Sequence, residues 1–213
     1  MIQITPIRKQ KLVILDGPDG TGKTTLAQGL AMQLQIPYFK VSNERSLWKE
    51  NRFKEALSFY GPFFVDVVRQ LGLSMVIDRG HPAEWVYSQV FNRETDMVRL
   101  RRIDDEFAMM GANIVITLRH DYSQNRDDDL VSKQRIPDLH LKYLEFAEWT
   151  RCNVIYIYVD SLGNDLKREV DALGKELQLD GPITNFATTI VINRRVVKRD
   201  ISSLFSEETV GVR

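Results

Sequence analysis

Short aliphatic and β-branched runs alternate along this chain with longer stretches whose apolar residues recur at helical spacing. Residues 11–15 read as a strand buried on both faces. A helix follows from about 23 to 35, where Ile36-Pro37 stops it, because the residue before proline avoids the α region. Residues 38–41 form a short second strand. Phe53, Leu57, Phe64, Val67, Val68 and Leu71 lie on one stripe and predict a helix over 53–71. The third strand, 75–77, runs into Asp78-Arg79-Gly80. Two helices are predicted over 83–92 and 96–110, the second closed by Gly111 at the position after its cap. Residues 113–118 are the fourth strand. A polar segment, 119–129, leads to a helix that Pro137 opens within its first turn. The fifth strand is 154–159, and Leu166, Val170, Leu173 and Leu177 mark a further helix.

Strands separated by helices imply parallel pairing through right-handed crossovers, hence an α/β three-layer sandwich. There is no internal repeat and no low-complexity tract. The alternation breaks after Gly181, so residues 1–181 are expected to form one domain and 182–213 a small C-terminal extension. That extension carries one more strand-like run, 189–192, and a basic stretch with Arg194, Arg195, Lys198 and Arg199.

Composition narrows the function classes. Of 213 residues, 43% are hydrophobic, enough for a substantial core. Lys+Arg and Asp+Glu both total 29, so no net field draws in nucleic acid or a membrane surface, and either partner would need a local patch such as 194–199. Cys152 is the single cysteine, which excludes an intramolecular disulfide and fits a reducing cytoplasm. The longest apolar stretch, 154–159, is far below the roughly 20 residues of a membrane helix. The apolar run 12–15 is likewise too short for a signal segment, so a cytoplasmic protein is expected. His81, His120 and His140 have no metal-ligand spacing and are expected at the surface or behind the site.

One segment carries specific chemistry. Gly17-Pro18-Asp19-Gly20-Thr21-Gly22-Lys23-Thr24 matches G-x-x-x-x-G-K-[ST] and lies between a predicted strand and a predicted helix, as the mechanism of that motif requires. Its glycines let the backbone curl so that successive N–H groups face a phosphate, and the helix N-terminus adds its positive dipole end. Lys23 is placed to bridge β- and γ-phosphates and the Thr24 hydroxyl to ligate Mg²⁺. Gly17, Asp19, Gly20, Thr21, Gly22, Lys23, Thr24 and Thr25 are thus the expected holders of ATP and its Mg²⁺. No Asn-Lys-x-Asp tetrad and no Leu-Ser-Gly-Gly-Gln run is present, which sets GTPase switches and ABC-type ATPases aside.

Residues 15–25, Leu-Asp-Gly-Pro-Asp-Gly-Thr-Gly-Lys-Thr-Thr, resemble the loop of the thymidylate kinases, and Asp78-Arg79 followed by Glu84, Val86 and Tyr87 is similar to their second motif. The chain therefore resembles a P-loop nucleoside monophosphate kinase of thymidylate kinase type, especially the phage deoxynucleotide kinases, from about residue 11 to 160. That resemblance implies a five-stranded parallel sheet of order 2-3-1-4-5. It also implies that Asp19 contacts the acceptor sugar, that Arg79 grips the acceptor phosphate, and that Asp78 holds Mg²⁺ through water. Residues 119–129 take the place of the closing lid, with Arg126 the preferred lid arginine beside Arg119. Arg45, Phe63, Phe64 and Tyr87 are expected around the acceptor, with Phe63 or Phe64 stacking on its base. Gly80, Ala83 and Asp16 depart from the family's usual aromatic, serine and glutamate, and 40–45 lacks its Arg-Glu-Pro-Gly-Gly run, so the acceptor pocket is expected to be altered.

The expected activity is ATP- and Mg-dependent phosphoryl transfer to a (deoxy)nucleoside monophosphate, with homodimerisation left open. Two other readings stand beside it. One is a kinase acting on a hydroxyl of a deoxynucleoside or of DNA, for which Asp16, Asp19 or Asp78 would serve as base. The other is a nucleotide-binding regulator without transfer activity.

Overall fold

The computed structural model describes residues 10–40, 61–123, 132–159, 171 and 173–175. The strands are β1 (Leu12–Asp16), β2 (Tyr38–Lys40), β3 (Met75–Asp78), β4 (Asn113–Leu118) and β5 (Asn153–Tyr158). The helices are α1 (Lys23–Leu34), α2 (Pro62–Gln70), α3 (His81–Phe91), α4 (Met97–Met109) and α5 (Ile136–Trp149), the last entered through a 3-10 turn, Lys133–Arg135. The strands form a five-stranded sheet of order β2-β3-β1-β4-β5, every pair parallel. The order expected from the resemblance is the order found.

β1 sits at the centre, and all its residues are buried. Its alternating side chains divide the core in two. Leu12 and Ile14 join Ile77, Ile114 and Ile116 against α3, α4 and α5. Val13 and Leu15 join Val76, Val115 and Ile155 against Leu26 and Leu30 of α1. A strand packed on both faces must read as an unbroken apolar run, and residues 12–15 do. Three layers result, with the C-terminal ends of the strands sharing one edge.

Element boundaries follow local chemistry. Gln35 closes α1 in the left-handed region (φ 54) before Pro37, as the proline signal demands. Asp96 caps α4 by accepting from the backbone N–H groups of Val98 and Arg99, a contribution of about 1 kcal/mol. α3 starts at His81, two residues before its predicted position, because Pro82 in its first turn needs no N–H partner. Of the predicted 53–71 helix, residues 62–70 are seen; 41–60 lie outside the described residues, as does the extension 182–213. No helix among the described residues is long and apolar enough to cross a membrane.

Candidate functional site

The loop between β1 and α1 turns on three glycines at positive φ: Gly17 (144), Gly20 (78) and Gly22 (77). At Gly17 the requirement is also steric, since a Cβ would lie 2.2 Å from the carbonyl oxygen of Thr117 on β4. Thr21 locks the loop from inside: its hydroxyl donates to the Pro18 carbonyl (2.9 Å) and pairs with the Thr117 hydroxyl (2.7 Å). Gly22 caps α1 without a side chain, so the first N–H groups of that helix face the loop's interior. Lys23 is 6% exposed; its Nζ donates to the Pro18 carbonyl at 2.6 Å and lies 3.9 Å from Asp19. Burial, with Arg79 nearby, lowers its pKa to about 8.

The C-terminal end of β3 brings Asp78 alongside. Thr24 Oγ1 donates to Asp78 Oδ2 at 2.7 Å, Tyr38 Oη donates to the same oxygen at 2.9 Å, and Lys40 Nζ is 3.9 Å away. A hydroxyl and a carboxylate converging beside the glycine loop are the hard oxygen donors that Mg²⁺ prefers, so the residues fit that ion.

Arg79 is the next residue, and its backbone is left-handed (φ 69), a conformation that costs a non-glycine residue about 1–2 kcal/mol. Its N–H donates to the Leu15 carbonyl (2.9 Å). Its guanidinium pairs with Asp19 Oδ1 and donates to Tyr87 Oη (3.3 Å), while Tyr87 donates to Asp19 Oδ2 (2.8 Å). Burial alone would raise the Asp19 pKa, but Arg79 and Lys23 hold it below the usual carboxylate value. For Arg79, burial opposes the charge and is outweighed by Tyr87 and Asp19, so the guanidinium stays charged.

Asp16, at the tip of β1, is fully buried and accepts from Gly17 N (2.9 Å), Tyr143 Oη (2.7 Å), Gly80 N (3.2 Å) and Ala83 N (2.9 Å). Burial raises its pKa, against the lowering influence of Arg79 and Tyr143.

The structure thus gathers Gly17, Asp19, Gly20, Thr21, Gly22, Lys23, Thr24, Asp78, Arg79 and Tyr87 at one end of the sheet, with Thr25 in the first turn of α1. Phe64 stacks on Phe39 (centroids 4.8 Å apart), and Phe63 is 76% exposed at the start of α2. Arg45 and Arg126, with the acidic run 127–129, lie outside the described residues. Arg119 follows β4, and its Nη1 approaches the Gly20 carbonyl at 3.5 Å.

The sequence reading missed Tyr38, Tyr143 and Thr117, whose contacts with the site span 40, 127 and 96 residues of chain. No local pattern announces such pairs. Of the two places expected for the histidines, surface or behind the site, two of the three take a buried one. His81 and His140 are buried, at 6% and 2% exposure, because an imidazole with a hydrogen-bond partner is readily accommodated in a core. His140 Nδ1 is paired with Tyr122 Oη (3.0 Å), and burial, then His120, pushes its pKa down to about 4. His81, Asp104 and Cys152 place one ligand-type atom each within 4.8 Å of one another. Asp104 there already accepts from His81 Nε2 (3.0 Å), the Arg151 N–H (2.8 Å) and Thr150, so its carboxylate is taken up by hydrogen bonds, while His81 Nδ1 is buried without a partner among the described residues.

Comparison with known proteins agrees with this layout. The profile of the "ATPase family associated with various cellular activities (AAA)" matches residues 13–62, which contain the glycine loop. The YorR protein from Bacillus subtilis, solved in complex with phosphorylated GDP, superposes with a TM-score of 0.52 at 21% identity, over 78% of this chain and 96% of that one. The fold is that of the P-loop nucleotide kinases. Thymidylate kinase from Ehrlichia chaffeensis gives a TM-score of 0.51 at 14% identity, covering 77% of this chain and 98% of its own. Thymidylate kinase from Candida albicans gives 0.52 at 13%, covering 83% and 97%. No curated protein sequence matches the chain.

Proposed function

We propose that this protein transfers the γ-phosphoryl of Mg-bound ATP to a (deoxy)nucleoside monophosphate, giving the diphosphate and ADP. The observation that carries the reading is the cluster of Arg79, Asp19 and Lys23, in which a charged guanidinium from the β3 turn closes on the glycine loop. A protein that only binds a nucleotide has no need of a second phosphate-gripping group facing the first.

In this reading the N–H groups of residues 17–24 cradle the triphosphate, and Lys23 neutralises its β- and γ-phosphates. Thr24 and Asp78 would hold Mg²⁺, which would supply positive charge beside the phosphates. The acceptor displaces part of the Asp19–Arg79–Tyr87 cluster: its phosphate takes Arg79 and its sugar hydroxyl takes Asp19. An acceptor phosphate oxygen then forms the new bond to the γ-phosphorus while the bond to the β,γ-bridging oxygen breaks and ADP leaves. No proton has to be removed, because the acceptor is already an anion. Two of the three carboxylates that a hydroxyl acceptor would need as base are closed off: Asp16 accepts four donors and has no exposed face, and Asp78 is 1% exposed and accepts from Thr24 and Tyr38. An arginine of segment 119–129, Arg126 or Arg119, would complete the charge cluster. The named identities of the similar structures, thymidylate kinases among them, support a nucleotide acceptor.

The test is a panel of nucleosides, nucleoside monophosphates and single-stranded DNA, each with ATP and Mg²⁺, with ADP release as the readout. Turnover is expected with one or more monophosphates, and Lys23→Ala and Arg79→Ala are each expected to lower kcat/KM by about 10³-fold. Turnover confined to nucleosides or DNA, or full activity in the Arg79→Ala variant, would sink the proposal.

A further inference from the structure

Asp16 is fully buried at the centre of the site, and the transfer chemistry proposed above leaves it without a task. Its two oxygens accept four hydrogen bonds, as many as a carboxylate has lone-pair positions for. The donors come from three different places. Gly17 N begins the glycine loop, Gly80 N and Ala83 N lie at the N-terminus of α3, and Tyr143 Oη projects from α5, which packs beside α3 on the same face of the sheet.

Arg79 lies beside those donors. Its own N–H is bonded to Leu15 O and the next N–H, of Gly80, to Asp16 Oδ2, so two successive donors are fastened to two successive residues at the tip of β1. Between these two bonds the arginine backbone is held at φ 69. A left-handed arginine persists only when its surroundings over-determine it. The approach is also close: a Cβ on Gly80 would meet Ile14 Cγ2 at 3.3 Å. One residue further on, His81 Nε2 is tied to Asp104, which the Arg151 N–H and Thr150 hold in turn. The start of α3 is therefore anchored on both sides, and Asp16 is the anchor that also touches the glycine loop.

Resting on the proposed phosphoryl transfer, we infer that Asp16 is a positioning residue. It ties the loop that cradles the donor phosphates to the turn that aims Arg79, so the distance between the two phosphate-gripping halves is set by one carboxylate. It touches no substrate and takes no proton. Its effect passes through Arg79 alone, and this separates the idea from a general structural role.

The experiment compares Asp16→Asn and Tyr143→Phe, each made in the parent and in an Arg79→Ala background. Asn keeps the shape of Asp but turns an N–H₂ towards donors on one side. In the parent, Asp16→Asn should lower kcat by about 10–100-fold, as misplacement of a reacting group does, with KM for ATP changed by less than about threefold. Tyr143→Phe, which removes one donor of four, should lower it by about threefold to fivefold in the same sense. In the Arg79→Ala background both effects should shrink to less than about twofold, because the group being aimed is gone. Full multiplicative losses in that background would overturn the inference.

A crystal structure of Asp16→Asn, or of Tyr143→Phe if the first variant does not fold, supplies a readout independent of turnover. Arg79 should leave the left-handed region, or its guanidinium should leave Asp19 and Tyr87. An unchanged Arg79 overturns the inference whatever the acceptor panel gives. A moved Arg79 in a protein that transfers no phosphate sustains the linkage and sinks only the functional reading.

Discussion

Two strand-to-helix turns lie side by side at the edge of this sheet and handle charge in opposite ways. The turn after β1 reaches positive φ three times, each time with glycine. The turn after β3 reaches it once, with Arg79. In the function proposed here the backbone of the first is itself the binding surface, where side chains would obstruct it, which favours glycine. In the second, a side chain is the binding group, and its backbone must be bent by outside force. The proposed donor side is thus built from local conformational freedom and the proposed acceptor side from tertiary constraint.

The sharpest way to break this contrast is to add one methyl group to each turn. Gly17→Ala is expected to lose about 3 kcal/mol or more in urea unfolding, because the new Cβ meets a backbone carbonyl at 2.2 Å and φ is 144. Gly80→Ala has an extended backbone (φ −166) and meets only a side-chain methyl at 3.3 Å, so its loss should be about 1 kcal/mol or less. Equal losses at the two positions would mean that the two turns do not differ as described.

Titration separates the two sides as well. Lys23, lowered from 10.5 to about 8 by burial and by Arg79, loses its charge as pH rises through that value. The kcat/KM for ATP, which reports the free protein, should fall by about tenfold per pH unit above 8. The kcat/KM for the acceptor, measured at saturating ATP, should show no such break, because Arg79 is pushed further up and stays charged. A break in both profiles at the same pH would show that the halves titrate together.

The smallest expected effect concerns the arginine backbone alone. Arg79→Gly and Arg79→Ala both delete the guanidinium and its bonds to Asp19 and Tyr87, so their difference isolates φ. The glycine variant should be more stable by about 1 kcal/mol in thermal or urea unfolding, the relief of a left-handed L-residue. An alanine variant as stable as the glycine one would place no strain at this turn.

Much of this molecule was legible before its coordinates. The apolar run 12–15 foretold a central strand, and Pro37, Asp96 and Gly111 marked helix ends within a residue or two, because caps and turns are local affairs. The glycine loop was legible for the same reason: eight consecutive residues carry its glycine turns. Residues 78 and 79 were placed correctly at a strand tip, yet nothing nearby in sequence shows that Arg79 is left-handed. The partners of histidines 81 and 140 were not legible, because a lone polar residue does not announce its partner. Asp104 and Tyr122 stand 23 and 18 residues away from them.

What the sequence by itself determined is the alternation of strands and helices seen among the described residues, their parallel pairing and the turns of the glycine loop, since these follow from periodicity and from the backbone freedom of glycine. Only the tertiary structure decided which groups meet across the sheet. Asp16 bonding to Gly80, Ala83 and Tyr143, and Arg79 turning to Asp19, join residues separated by 64, 67, 127 and 60 positions. Hydrogen bonds depend on distance in space, and a one-dimensional pattern contains that distance only where the partners are neighbours in the chain.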